Sequence, residues 1–425
     1  LVELLVIADD LTGAIDTGVQ FAQQGVPTLV TIDVDCAFDH RDGEYQVIVA
    51  STESRHLSAA DASTRVERVV RRARAAGIER FYKKTDSTLR GNIGAELQAL
   101  LRASGHRVLA FAPALLQLGR FTRGGYQYVG DRLLHETAFA GDPLNPIIDS
   151  HIPAIIRRQS DIPTVIIGRN QDEAWLDGRP QEWIAVFDAE SDDDLLRVGE
   201  WLKHEHLLGA LAGSAGFAAW LPQLLELQTT VPPRLNCPAQ SAQMLAVNGS
   251  LNEVSLRQIA QAEACGFAVV RLSPETLITE DCALSEAALQ LIDTVTVYHK
   301  QGRDVLLCTV TSREDAGAYE RRGERLGLDH CQLHLRIAEN TATFLSGVLA
   351  QTRFELLMVF GGDTLAAIAR AMGWRGLLPR RELLPGVILS EAADGEKKMW
   401  LITKAGGFGP EDVLQQIKDQ LMERC

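Results

Sequence analysis

Two adjacent carboxylates, Asp9 and Asp10, leave the apolar run LLVIA and precede a threonine and a glycine in IADDLTGAIDTG, residues 7–18. Aspartate is a common helix N-cap. A cap uses one carboxylate, so the second is left to accept a substrate hydroxyl, act as a base or hold Mg²⁺. In ASTESRH (50–56) Arg55 follows another apolar run, and a guanidinium forks a carboxylate through two parallel hydrogen bonds. The densest cluster is KKTDSTLRGN, residues 83–92. There Lys84 and Asp86 stand two apart, on one face if a strand persists, while Thr85, Ser87, Thr88, Arg90 and Gly91 crowd the turn. So many donors and charges are costly to bury without a polar ligand. The stretch LGRFTRGGYQYVGDRLLHETAFAGDPLNP carries Arg120, Arg123 and His135 and reads as a mobile lid or an irregular surface excursion. Farther on, VNGSLNEVSLRQI (247–259), VFGGDTLAAIA (359–369) and ITKAGGFGPED (402–412) each run from an apolar segment through small residues into a helix pattern. They bring Ser250 and Ser255, the pair Gly361 and Gly362 ahead of Asp363, and Gly406, Gly407 and Gly409 around Phe408. Glycines of this kind let a phosphate approach backbone N–H groups at a helix start, and three such loops together point to a nucleotide.

The elements that must position these residues alternate. LLVIA (4–8), VPTLVTI (26–32), YQVIVAS (45–51), RFYKK (80–84), VLAFAPA (108–114), TVIIG (164–168), IAVFD (184–188) and LGALAG (208–213) read as strands. Ile15, Gly18, Val19 and Ala22 follow helical spacing, with Gly25 as a C-terminal cap. Near-continuous apolar strands between helices predict a mostly parallel sheet covered on both faces, with ligands at the C-terminal crest of the strands. Proline and polar residues near 229–242 read as a linker. The fold class expected is therefore α/β with two domains: 1–228 and 243–425, each a mostly parallel sheet flanked by helices, with the active site in the cleft between them.

Composition narrows the function. The chain has 425 residues, 46% hydrophobic and 23% charged, as expected of a globular protein of more than one domain. Its net charge of -14 argues against general nucleic-acid or membrane-surface binding, both of which need a basic face. No apolar run is long enough to span a membrane and the first residues lack signal-peptide features, so the expected location is cytoplasmic. Seven cysteines lie scattered with no CxxC, as in reduced proteins, and are expected to be mostly buried fillers. GxxxxGK[ST], GxGxxG after the first strand, HExxH and GxSxG are all absent, which disfavours P-loop NTPases, dinucleotide-dependent dehydrogenases and the common hydrolases. An NAD(P)-dependent sugar-acid dehydrogenase is thus the weaker rival class, and a two-lobed binding protein of the periplasmic kind would need a leader.

Taken in order, IADDLTGAIDTG, KKTDSTLRGN, the RGGYQYVG…LHET…DPLNP stretch, VNGS, FGGDT and KAGGFG resemble the four-carbon acid sugar kinases. The resemblance covers essentially the whole chain. It implies a sugar acid on the N-terminal domain, ATP on the C-terminal domain, and phosphorylation of the 4-hydroxyl. Carried over position by position, it assigns Asp10, Arg55, Lys84, Thr85, Asp86 and Ser87 to the substrate. Ser255, Gly361, Gly406, Gly407, Phe408 and Gly409 go to ATP, with Gly362 beside them. Asp10 and Asp86 are the two candidates for the base at O4, and Mg²⁺ is expected to bridge the phosphates through Asp363 or water. The ADDLTGxxDTGV start and KKTDSTLRGN make D-threonate the expected acceptor, with D-erythronate and 3-oxo-tetronate as alternatives. A homodimer is the default assembly.

Overall fold

The run LLVIA forms β1 (Leu4–Ala8), and each of its residues is buried. Leu5 and Ile7 pack into a core with residues of the helices that follow, while Leu4, Val6 and Ala8 turn to the opposite face. A strand buried on both faces belongs inside a helix-covered sheet. The computed structural model describes residues 2–32, 44–142, 145–169, 176, 178–230, 242–250, 252–279, 285–310, 312–393, 399–405 and 407–424. The chain divides into two units, Leu1–Pro232 and Pro233–Cys425.

In the first unit β1, α1 (Leu11–Ala22), β2 (Thr28–Thr31), β3 (Val47–Ser51), α2 (Ala59–Ala75), β4 (Phe81–Lys84), α3 (Ile93–Ser104) and β5 (Val108–Ala112) alternate. After them come β6 (Arg120–Arg123), β7 (Tyr126–Val129), β8 (Arg132–Leu133), α4 (Ile152–Arg157), β9 (Thr164–Ile167), β10 (Trp183–Phe187), α5 (Asp192–His204), β11 (Ala210–Gly213), α6 (Ala215–Ala218) and α7 (Leu221–Leu224). The main sheet runs in the order 2-3-1-4-11-5-10-9, and its pairs are parallel. Helix α2 starts at the Ser58 cap and buries Val66, Val69, Val70 and Ala73 at helical spacing against the core that holds Leu5 and Ile7. Gly25 follows α1 with its N–H on the Ala22 carbonyl at 3.0 Å. In the Gly-rich stretch expected to be a lid or an irregular excursion, residues 120–133 are not irregular but form an antiparallel sheet in the order 6-7-8. Its residues alternate too briefly, and its glycines mark hairpin turns rather than loop freedom.

The second unit contains β12 (Met244–Asn248), α8 (Glu253–Ala264), β13 (Ala268–Arg271), α9 (Pro274–Leu277), α10 (Glu286–Lys300), β14 (Val305–Cys308), α11 (Arg313–Arg325) and α12 (His330–Gln351). It continues with β15 (Leu356–Phe360), α13 (Gly362–Ala371), β16 (Gly376–Leu384), β17 (Val387–Ala392), β18 (Trp400–Lys404) and α14 (Val413–Arg424). Strands 13-14-12-15-18 are parallel neighbours, and β17 and β16 extend them antiparallel. Strand β16 escapes a reading of the sequence because Pro379 and three charges interrupt it, and its ladder slips at Pro379/Arg381 and Glu382/Leu384. Among the described cysteines Cys308 is buried, but Cys265 and Cys331 are exposed, against the expectation of buried fillers. Both sit at helix ends, Cys265 capping α8 and Cys331 in the first turn of α12. Among the described residues no helix is long and apolar enough to cross a membrane.

The two units share a winding. In each, the first strand lies third in the run, 2-3-1-4 and 13-14-12-15, so the chain first moves one way along the sheet and then the other. The reversal opens a crevice at the strand ends, β1/β4 in one unit and β12/β15 in the other, and such a crevice is where open α/β sheets bind ligands.

Candidate active site: two strand crests

At the first crevice, the register sets Ala8 beside both Ser51 and Lys84, so the residues following β1, β3 and β4 emerge together. Asp10 caps α1, its Oδ1 accepting from Gly13 N–H at 2.8 Å. Its Oδ2 accepts from Arg55 Nη1 at 2.6 Å. Arg55 also forks Asp9, Nε to Oδ2 at 2.7 Å and Nη2 to Oδ1 at 3.0 Å. The expectation that capping leaves one carboxylate unengaged is thus corrected: Arg55 engages both. The cause is burial, since Asp9 is only 2% exposed and a desolvated carboxylate must be paired. Burial alone would raise the Asp9 carboxyl; the charges of Arg55, Lys83 and Lys84 overcome it and hold it below its usual range. Burial likewise disfavours the Arg55 cation, and Asp10, Asp9 and Asp86 more than restore it. Asn92 fastens the loop that carries Arg55, its Nδ2 donating to the Ser54 and Leu57 carbonyls at 3.0 and 2.9 Å.

The two lysines that end β4 do opposite things. Lys83 is wholly buried and donates to Ile7 O (3.2 Å), Lys84 O (2.8 Å) and Glu96 Oε2 (3.0 Å). Glu96, whose other oxygen accepts from Ser54 Oγ, is pushed up by burial despite Lys83. Lys84 is 5% exposed, and its ammonium has no hydrogen bond or ion pair among the described residues. It lies over the start of α1, where a Cβ on Gly13 would come within 2.9 Å of Nζ and 2.5 Å of Asp10 Oδ1. A larger residue at position 13 would push that ammonium aside.

Strand β4 stops at Lys84, so the strand-face reading of Lys84 with Asp86 does not hold. Thr85 turns away, its N–H and hydroxyl both on the Gly213 carbonyl. Asp86 instead anchors its own turn: Arg90 forks it, Nε to Oδ2 at 2.8 Å and Nη2 to Oδ1 at 3.1 Å, and Thr88 Oγ1 donates to Oδ2. Burial would raise its carboxyl, but Arg90 and Arg55 hold it well below the ordinary range. Ser87 Oγ accepts from Arg120 Nη1, a contact that brings the small sheet onto the crest. That sheet is fixed by Gln127, whose Nε2 donates to Ser87 O at 3.1 Å, and by Asp188, which accepts from Gly124 and Gly125 N–H at 2.7 and 2.9 Å. Arg120 stands 5.4 Å from the Phe139 ring centroid, and its Nε is buried with no partner. Burial lowers its guanidinium's affinity for its proton, with Asp86 opposing. A reading of the sequence flags Arg120 only as part of a loop; nothing in residue spacing shows that β6 returns to Ser87. Arg123 and His135, flagged with it, serve elsewhere: Arg123 pairs with Glu190, and His135 Nδ1 meets Ser150 Oγ at 2.8 Å.

At the second crevice, register pairs Asn248 with Phe360 and Phe360 with Lys404, so the three glycine-bearing loops leave neighbouring parallel strands side by side. Asn248 shapes the first, Oδ1 accepting from Ser250 N–H and Nδ2 donating to Ser250 O. Gly361, at φ +100, N-caps α13 without a side-chain bond, and a Cβ there would meet nothing within 4 Å. No side chain caps the first N–H groups of α13, and uncapped N–H groups at a helix start suit a phosphate. Gly362 is the first residue of α13, and Asp363 is exposed in its first turn. In the third loop Gln258 Nε2 donates to the carbonyls of Phe408, Gly409 and Pro410 at 3.0, 3.0 and 2.8 Å. Lys404 Nζ donates to those of Ala405 and Phe408 at 3.0 and 2.9 Å. Both hold carbonyls toward the protein. Burial lowers the Lys404 ammonium to about 7, while its carbonyl partners and the Phe360 ring, 4.9 Å away, favour the charge. The Phe408 ring packs on Gly386, where a Cβ would come within 2.3 Å. Ser255 is buried within α8 on the face of Gln258, three residues on. Gly407 is exposed beside Asn252; Gly406 lies outside the described residues.

Residues 4–221 match the family model described as sugar-binding N-terminal domain, and residues 245–414 that described as nucleotide-binding C-terminal domain. A D-threonate kinase of Salmonella typhimurium is 32% identical over 97% of this chain and 96% of its own. A D-threonate kinase of Bordetella bronchiseptica is 31% identical, covering 99% and 97%. A 3-oxo-tetronate kinase of Cupriavidus necator is 29% identical, covering 98% and 96%. Among solved structures, a Salmonella typhimurium LT2 protein labelled a tRNA synthase superposes with TM-score 0.80 at 21% identity, covering 98% of this chain and 99% of that one. A Haemophilus influenzae protein of a family of unknown function gives 0.72 at 22%, covering 98% and 100%. At such identities the likeness speaks for the fold alone.

Proposed function

We propose, from the premise that the chain belongs to the four-carbon acid sugar kinase family, with its sugar-binding N-terminal and nucleotide-binding C-terminal domains, that it transfers the γ-phosphoryl group of ATP to O4 of a four-carbon sugar acid. D-threonate is the first candidate, in keeping with the names of the Salmonella and Bordetella relatives. The observation that carries this reading is the pair of crests: a polar crevice at β1/β4, where the Lys84 ammonium has no ion pair among the described residues, and a glycine-lined crevice at β12/β15/β18. A polyol acid fits the first and a polyphosphate the second. Phosphoryl transfer asks mainly for alignment and charge neutralisation, which fixed side chains and backbone amides supply.

Within the first crest, Lys84 binds the acid, and Arg55 acts by holding Asp9 and Asp10 in place. Asp10 orients the O4 hydroxyl. Its side chain is 22% exposed against 2% for Asp9. Asp86, held well below the carboxylate range and forked by Arg90, is a poor proton acceptor and serves to shape the turn. In the second unit the α13 N-terminus and the loop at Gly407 to Gly409 hold phosphates. The described residues contain no group of three His, Cys, Asp or Glu arranged for a metal. Mg²⁺ characteristically travels on nucleotide phosphates with most of its water retained. Asp363 is a carboxylate within the glycine-bearing turn.

The test is a coupled ADP-release assay with ATP and Mg²⁺ over D-threonate, D-erythronate, L-threonate, L-erythronate and their 3-oxo forms. Turnover dominated by D-threonate supports the reading. Turnover dominated by a 3-oxo acid supports the second reading, which the Cupriavidus relative suggests. No turnover on any of them defeats both.

A further inference from the structure

Two of the arginines on the first crest fork a carboxylate in the same way. Arg55 uses its Nε–Nη2 edge on Asp9, and Arg90 uses the same edge on Asp86. Lys83 is spent on Glu96. Arg120 stands in the same neighbourhood but differs. Its one side-chain hydrogen bond among the described residues is Nη1 to Ser87 Oγ; among them Nε is buried without a partner, and Nη2 carries none. Its guanidinium leans on Phe139 and feels the charges of Asp86 and of Asp16, one turn beyond Gly13 on α1. Lys84, also without an ion pair among the described residues, lies over Gly13 itself. A largely desolvated guanidinium with no carboxylate partner among the described residues is costly, and an added carboxylate is the group that fits it.

We propose that the guanidinium of Arg120, on the same crest as the Lys84 ammonium, takes the carboxylate of the sugar acid, so that Arg120 sets the preference for an acid over the corresponding polyol. This rests on the kinase reading for the identity of the acid, not for the charge it must carry. It also moves the carboxylate away from Arg55, whose fork Asp9 fills. Bound there, the acid would lie between the Ser87 turn and the start of α1, with its hydroxyls toward Asp10.

The experiment is equilibrium calorimetry of D-threonate and of threitol, the neutral polyol, against the wild-type chain, Arg120→Met and Arg120→Lys, without nucleotide. The wild type should prefer the acid. Arg120→Met should weaken acid binding by about 10²-fold, the worth of charge-assisted hydrogen bonds at a desolvated site, and leave threitol within about threefold. Arg120→Lys should restore part of the preference, because an ammonium supplies charge without the fork. ADP affinity, measured on the same samples, should not change. An acid-to-polyol preference retained in a folded Arg120→Met protein would overturn the assignment, as would equal loss for both ligands. Absence of turnover in the wild type with this binding pattern intact would count against the kinase reading alone.

Discussion

Adjacent lysines with opposite work give the sharpest test. Lys83→Met removes a cation that is wholly buried, donates to two carbonyls and pairs with Glu96 at 3.0 Å. Breaking one partner of a buried pair leaves the other charge uncompensated and costs about 3–5 kcal/mol. For a unit the size of Leu1–Pro232, each kcal/mol moves the melting midpoint by about 2–4 °C, so the shift should be about 6–20 °C downward. Lys83→Met combined with Glu96→Leu should recover at least half of that, because removing both charges of a buried pair is often close to neutral. Ser54, which loses Glu96 in the double variant, keeps its contact with Thr52 at 2.7 Å. Lys84→Met should instead leave stability within about 1 kcal/mol, since no described partner is lost, and raise KM for the acid at least tenfold. The assays are thermal and urea unfolding followed by circular dichroism, and ADP release. The reasoning fails if Lys83→Met melts with the wild type, if the double variant is no better than the single, or if Lys84→Met is the variant that unfolds.

Other outcomes follow from the same geometry. Asp86→Asn keeps the shape but drops the charge that Arg90 forks; turnover should fall by about 10²-fold or more while ADP affinity, read by fluorescence titration, stays put. Because the folded Asp86 carboxyl lies well below 3.8, its stabilisation is complete above that pH and is lost as pH falls toward its folded value; acid unfolding of Asp86→Asn should therefore show a shallower low-pH limb. Gly407→Val has room to fold, since a Cβ there meets Asn252 Nδ2 at an ordinary 3.5 Å; it should weaken ADP about tenfold or more by blocking phosphate approach and spare acid binding, as paired titrations would reveal. Lys404, lowered by burial to about 7 from 10.5, binds its proton less readily folded than unfolded. The second unit should thus gain stability as pH rises from 7 toward 10.5, and Lys404→Met should abolish that rise in melting temperature.

The sequence by itself determined the local chemistry. LLVIA reads as a buried strand because every residue in it is apolar, and one of Asp9 and Asp10 reads as a helix cap because the apolar spacing of α1 follows; that the cap is Asp10 is the structure's contribution. The glycines before α13 announce close backbone approach in the same local way. Side-chain roles within KKTDSTLRGN were not legible, because they depend on partners far away in the chain. Lys83 is spent on Glu96 and Lys84 is not, and only the packing of α3 against the sheet separates these two identical residues. Likewise Arg55 could not be known to be filled by Asp9, 46 residues away, nor Arg120 to reach Ser87, 33 residues away, until the strands were laid side by side. The shared winding of the two units, 2-3-1-4 and 13-14-12-15, leaves no repeat in the residues. Strand order is set by which apolar faces bury one another, and that condition can be met by many sequences; a fork that is filled or empty is decided by where the tertiary fold brings the next carboxylate.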